Sequence, residues 1–216
     1  MTSLGKQSSS SNLRLAVLLL AAGEGSRLGS IPKALLQKDG QTLMSHFFRA
    51  IKPSSPIEVV VITGFHAPEI EAELAQLQKE CDTPIECVRN PKPELGQASS
   101  VRLGLETLKS SYDVLLVALC DQPLVGSPEI DALLEQFKHR DQQKEVILPM
   151  VDKQRGNPVL FSPKVVRDIL AIPQMVCRPF MDQHPDLVQI FKIDNEAYIA
   201  DVDTEADIRK LNLQRD

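Results

Sequence analysis

Residues 15–36, LAVLLLAAGEGSRLGSIPKALL, constrain the fold of this chain more than any other stretch. Residues 15–22 are apolar without a break, which suits a strand covered on both faces, as in the middle of a parallel sheet. The run ends at Gly23 in a loop that carries Gly23, Gly25 and Gly29 together with Arg27 and Lys33. Glycines let a backbone turn and bring its N–H groups close to a ligand. A guanidinium and an ammonium add the positive charge that a polyphosphate needs. Two familiar phosphate loops are excluded by spacing. A G-x-G-x-x-G dinucleotide loop needs a small residue where Leu28 stands, and G-x-x-x-x-G-K-[ST] does not occur.

At 216 residues, 43% of them hydrophobic, the chain can bury one sizeable core, and one domain is expected over residues 13–216. The Ser-rich residues 1–12 read as a disordered leader. A net charge of −5 argues against a general nucleic-acid binder, which needs excess Lys and Arg to displace counterions. No apolar run is long enough to span a bilayer, so no membrane partner is expected. Lys6 and Arg14 ahead of residues 15–22 imitate a signal peptide, but that run leads straight into the glycine loop and is better read as the first strand of the sheet. Cys81, Cys87, Cys120 and Cys177 show no C-x-x-C spacing, and reduced thiols in a cytoplasmic protein are the simplest reading.

Along the chain, strand patterns at residues 57–63, 85–88, 112–119, 146–150, 159–161, 187–193 and 198–202 alternate with helical patterns. The helices are expected at residues 42–51, 68–79, 96–108, from Ser127 (as N-cap, with Pro128 first in the helix), 162–170 and 204–211, the last with a Thr204/Asp207 capping box. The fold class expected is single-domain α/β, a mostly parallel twisted sheet with helices on both faces. Ligands of such sheets bind at the carboxyl ends of the strands.

Asp121 follows an apolar strand and precedes Pro123, which suits a carboxylate fixed at the sheet edge for a hard cation such as Mg²⁺; an Asp that only starts a turn is the alternative. Asp203, before a helix, has the competing explanation that acids stabilise helix N-termini. Ser100, near the start of a helix, is by default a cap. The four histidines lack zinc-ligand spacing, and no G-x-S-x-G elbow is present.

Taken together, the segments resemble the nucleotidyltransferases related to molybdenum cofactor guanylyl- and cytidylyltransferases. The opening loop is similar to L-A-A-G-x-G-x-R-x-G-x-x-x-K, residues 96–105 to G-x-x-S-S-L-R-x-G-L, and residues 120–123 to (G/C)-D-Q-P. DVDTEADI resembles D-I-D-T-P-E-D-L, and RGNPVLF resembles the R-G-H-P-V-L-F of the cytidylyl branch. The resemblance implies a nucleotidyltransferase fold of the Rossmann type. It implies that Ala21, Ala22, Gly23, Gly25, Arg27 and Lys33 surround the triphosphate and that Gly96 and Ser100 approach the base. It also implies that Asp121 and Asp203, the latter preferred over Asp201, hold Mg²⁺, and that Arg155 and Asn157 lie on the acceptor side. Arg27, Lys33 and Asp121 would be the catalytic residues.

The implied reaction joins a nucleoside monophosphate from CTP, less readily GTP, to a phosphorylated acceptor and releases pyrophosphate. The acceptor favoured is molybdopterin, with a molybdoenzyme as possible partner. A sugar-phosphate or alcohol-phosphate acceptor is the rival, since IPKALL is also reminiscent of sugar-phosphate enzymes, and a nucleotide-binding chaperone without turnover is the rival from another class. Departures fall on the acceptor side. Asn157 stands where the family has His, and residues 172–178 retain only Arg178 of a G-D-x-G-A-R stretch.

Overall fold

The computed structural model describes residues 13–80 and 83–215, so the leader expected at residues 1–12 lies outside the described residues. In chain order the strands are β1 (Leu15–Ala21), β2 (Gln37–Lys38), β3 (Gln41–Thr42), β4 (Glu58–Thr63), β5 (Ile85–Arg89), β6 (Val114–Leu119), β7 (Val146–Val151), β8 (Gln154–Arg155), β9 (Val159–Phe161) and β10 (Val188–Lys192). The α-helices are α1 (Leu43–Ile51), α2 (Ala67–Leu77), α3 (Gln97–Thr107), α4 (Ser127–Lys138), α5 (Pro163–Ala171), α6 (Cys177–Gln183) and α7 (Glu205–Lys210).

β1 pairs in parallel with β4 on one side and β6 on the other, and every one of its residues is buried. Its alternate side chains enter two cores. Leu15, Val17 and Leu19 pack with Met44, Ile70 and Phe137 from α1, α2 and α4; Ala16, Leu18 and Leu20 pack with Leu105, Val165 and Phe180 from α3, α5 and α6. Helices therefore cover both faces, which is why the β1 sequence shows no polar alternation. The eight-stranded sheet runs β10-β7-β9-β6-β1-β4-β5, with β8 paired to β7. β9 is antiparallel to both β6 and β7, because the short β8 turn returns the chain beside β7 without a helical crossover. A smaller core of Leu28, Leu36, Leu43, Val202, Ile208 and Leu213 ties the opening loop to the C-terminal segment. Among the described residues, no helix is long and apolar enough to cross a membrane.

Two expectations are corrected, and one helix is added. Residues 198–202 are not a strand: a 3-10 turn at Glu196–Tyr198 precedes an extended segment crossing the strand ends. The turn wins because Asn195 caps it by accepting from Ala197 N at 3.0 Å, while the Tyr198 hydroxyl donates to Glu129 O at 2.9 Å. The Tyr198 carbonyl accepts from Asn157 N at 2.8 Å and Gln122 Nε2 at 3.1 Å, which leaves it no sheet partner to seek. Helix α4 is capped at Gly126, not Ser127, since the Glu129 carboxylate reaches back to Gly126 N at 2.9 Å. Helix α6 was not expected: it begins at the end of the 172–178 stretch and buries Cys177, Phe180 and Met181 at helical spacing.

The start of β1 is fastened to β6 by Asp113. Its carboxylate accepts from Arg14 N at 2.9 Å, from Nε at 3.1 Å and from Nη2 at 2.8 Å. Those bonds hold the Asp113 carboxyl below its usual range. A group so depressed adds stability above the unfolded-state value that is lost as pH falls through the folded one. Asp113→Asn is therefore expected to lower the urea midpoint at pH 7, with the gap to wild type closing as the pH drops below the ordinary carboxylate range. A gap that stayed constant with pH would show that the charge of Asp113 does not fasten the strand.

Candidate active site

The site begins with strand register. Leu20 stands opposite Leu119 and Ala21 opposite Thr63, so β1, β6 and β4 end at one level. The loop after β1 and the turn at Asp121 consequently emerge side by side at the carboxyl edge. The loop tightens at Gly25, whose carbonyl accepts from Leu28 N at 2.9 Å and Ser30 N at 3.1 Å. Gly25 has φ +67°, and a Cβ there would run into the Ile31 carbonyl, so no other residue fits without strain. His66, which the sequence left unassigned, pins this loop: its Nε2 stands 2.8 Å from the Glu24 carbonyl and must donate to it.

Asp121 and Asp203, far apart in sequence, meet at Lys33. The Lys33 ammonium lies 3.1 Å from Asp121 Oδ2 and 2.7 Å from Asp203 Oδ1, while Arg27 Nη1 lies 3.0 Å from Asp203 Oδ2. The backbone secures the convergence, since Val202 N donates to Asp121 O at 3.1 Å. The Thr204/Asp207 capping box forms as expected, and the Asp207 carboxylate also accepts from Asp203 N at 3.1 Å. Burial works against the charge on Lys33, but the two carboxylates outweigh it and hold the ammonium above its usual pKa. For Asp121, burial pushes the carboxyl up against the pull of Lys33, and the charge of Asp201 adds to the rise.

A cleft of about 350 Å³ opens above these groups. Ala21, Ala22, Gly23, Gly25, Lys33, Gly96, Ser100 and Asp121 line it, as does Asp201, which the sequence ranked below Asp203. Asp203 instead stands behind Lys33 through its ion pair. Gly96 adopts φ 84° and ψ −178°, a backbone conformation open in practice to glycine alone, and caps α3. Ser100 is thereby in the fourth position of α3 and is not its cap, contrary to the default sequence reading. Sequence reasoning also passed over Asn90, a buried residue after β5 whose amide holds both Ser99 and Ser100. Arg155 and Asn157 do not reach the first cleft. They line a second cavity of about 350 Å³ together with Arg178, and the two spaces share Leu20, Gln97 and Leu119 as a common wall. Arg155 is paired there with Asp182 at 2.7 Å.

The donor set fits a hard divalent cation. Asp121 and Asp203 already flank a positive charge and both offer hard oxygen donors. Such a pair suits a cation that completes its coordination with water and phosphate oxygens.

The chain belongs to the MobA-like NTP transferase domain family, whose model matches residues 17–187. Among curated relatives, it is 32% identical over 145 residues to "Bifunctional protein GlmU" of Francisella philomiragia, a match that covers 67% of this chain and 30% of that protein. It is 31% identical over 169 residues to the 2-C-methyl-D-erythritol 4-phosphate cytidylyltransferase of Streptomyces avermitilis, covering 77% of this chain and 66% of that enzyme. The chain thus spans about 30% of the first of these relatives and about two thirds of the second. Among solved structures, Rv0371c from Mycobacterium tuberculosis H37Rv superposes with a TM-score of 0.72 at 22% identity, covering 92% of this chain and 97% of that one. The manganese complex of the same M. tuberculosis protein superposes with a TM-score of 0.65 at 19% identity, with the same coverage of both chains. These likenesses bear out the fold.

The loop geometry gives a direct test. Gly25→Ala is expected to cost about 1–3 kcal/mol, because it combines a left-handed φ with a backbone clash. At Gly23 a Cβ would meet nothing within 4 Å and φ is not left-handed, so Gly23→Ala should stay within about 1 kcal/mol of wild type. Urea unfolding of the two variants measures the difference; equal losses would show that Gly25 does not set the loop.

Proposed function

We propose that the protein is a Mg²⁺-dependent nucleotidyltransferase that takes CTP, less readily GTP, and transfers its nucleoside monophosphate to a phosphorylated acceptor. The observation that carries this reading is the convergence of Lys33, Asp121 and Asp203 beneath the glycine cleft at the carboxyl edge of the sheet. An acceptor phosphate oxygen attacks the α-phosphorus of CTP, a P–O bond forms, the α–β P–O bond breaks, and pyrophosphate leaves. No covalent enzyme intermediate is required. Arg27 and Lys33 neutralise the triphosphate, the amides around Gly23 and Gly25 cradle it, and Ala21 and Ala22 wall it. Asp121 and Asp203 would hold the metal, which when bound supplies electrostatic stabilisation of charge growing on the α-phosphate. That a fold neighbour has been solved with manganese supports a divalent cation. Catalysis on this reading is positioning plus electrostatics.

The RGNPVLF segment on the second cavity supports molybdopterin as acceptor and a molybdoenzyme as the eventual recipient, with the cytoplasm as the place of action. A second reading has its own support: the Streptomyces relative is a cytidylyltransferase for 2-C-methyl-D-erythritol 4-phosphate, an alcohol phosphate. Both readings share the CTP half of the cleft. The same convergence of Lys33 with two carboxylates argues against a carrier that has lost turnover. Residues 13–216 would then form one nucleotidyltransferase domain.

Pyrophosphate release with Mg²⁺ and CTP tests this, with molybdopterin and 2-C-methyl-D-erythritol 4-phosphate supplied in parallel and GTP replacing CTP. Release with CTP and molybdopterin supports the first reading, and release with the alcohol phosphate the second. Failure to bind any nucleotide overturns both. Asp121→Asn should cut turnover on the order of 100-fold or more while leaving the thermal midpoint close to wild type; full activity in that variant would remove the metal role.

A further inference from the structure

The loops after β1 and β4 lie against each other beside the cleft. Gly64 permits the approach, because a Cβ there would stand 2.7 Å from the Ala22 carbonyl oxygen. His66, two residues on, is half-buried and is not part of the cleft lining; its imidazole spends the Nε2–H on the Glu24 carbonyl at 2.8 Å. Helix α2 does not need that side chain, since its N-terminus takes no side-chain cap from His66. What the bond fixes is the plane of the Glu24–Gly25 peptide. In a trans peptide the carbonyl and the N–H point opposite ways, so a carbonyl held toward His66 turns the Gly25 N–H away from it. Glu24 and Gly25 both line the cleft, and the Gly25 N–H meets no acceptor among the described residues.

We infer, resting on the nucleotide reading above, that His66 is a positioning residue for the triphosphate: by holding the Glu24 carbonyl outside the cleft, it presents the Gly25 N–H to a phosphate oxygen. Glycine reaches both signs of φ, so the peptide before Gly25 can flip once the clamp is gone and bring the carbonyl round to the cleft. An N–H beside a phosphate makes a charge-assisted hydrogen bond, whereas a carbonyl oxygen in its place repels the anion. The clamp needs a donor at Nε2 but no charge, because the neutral Nε2–H tautomer and the imidazolium donate alike. A glutamine side chain carries an N–H at nearly the same reach and can take over the role.

Calorimetric titration of the full chain with Mg·CTP and with Mg·pyrophosphate tests this. His66→Ala is expected to bind both probes about fivefold more weakly, the worth of one net hydrogen bond, with its thermal midpoint close to wild type. His66→Gln is expected to stay within about twofold of wild type for both, since it restores that bond. Glutamine as weak as alanine would mean that the imidazole acts through charge or packing, and would overturn the inference. Wild-type affinity in His66→Ala would overturn it too, as would a loss for Mg·CTP that spared Mg·pyrophosphate and so fell on the nucleoside. Should His66→Ala not fold, His66→Phe, a ring without an N–H, must show the same loss, and wild-type affinity there sinks the idea. Wild-type protein that bound neither probe would instead bring down the functional reading itself.

Discussion

The pairing of β1 on both sides sets the position of everything else. A strand buried on two faces has no freedom to slip, since moving by one residue would exchange Leu18 and Leu19 between cores of different shape. With its register fixed against β4 and β6, the chain must leave β1, β4 and β6 at the same level. The glycine loop and Asp121 are neighbours for that reason alone. Their chemistry then depends on a feature with no chemistry of its own, a run of apolar side chains with the right alternation.

Bringing two carboxylates together costs free energy unless a positive charge stands between them, and β1 supplies it through its own loop. Lys33 is partly buried and touches both acids, so screening by water is limited there. Arg27 reaches Asp203 from solvent, where an ion pair contributes little. What locks the geometry is apolar: Leu28 and Leu36 on either side of Lys33 pack against Val202 and Ile208 on either side of Asp203. The small core thus sets the distance between the ammonium and the carboxylate.

Much of this was legible because it is local. The apolar run, the glycines after it and the alternation of strands with helices each follow from short-range pattern, and the sheet has the expected class. The segment before Asp203 was not legible, because the sequence there has the apolar residues of a strand while its fate was decided by partners far away, Glu129 for the Tyr198 hydroxyl and Asn157 for its carbonyl. Nor does the order of side chains reveal that Asp121 and Asp203 would share Lys33, which depends on where the chain crosses the sheet edge. Asn90 was hidden differently. A buried amide that bonds two serine hydroxyls leaves no pattern in sequence, and only the hydrogen-bond network reveals it.

Both cavities have largely apolar walls and differ in the polar groups set into them. The first has the carboxylates, the ammonium and the glycine amides; the second is walled by Val117, Leu148, Val159 and Phe161, with Gln97, Arg155, Asn157 and Arg178 among its polar groups. A sugar or polyol brings many hydroxyls, each of which loses water on entry and needs a partner to compensate. A flat or apolar body carrying an anionic group suits such walls better. Arg155 is already neutralised by Asp182, whereas Arg178 has no carboxylate partner among the described residues. On the proposed reading, then, the nucleotide side is built from the segments in which this chain keeps to its family. Choice of acceptor falls to Asn157 and the residues around 176–178, where the departures reach the second cavity.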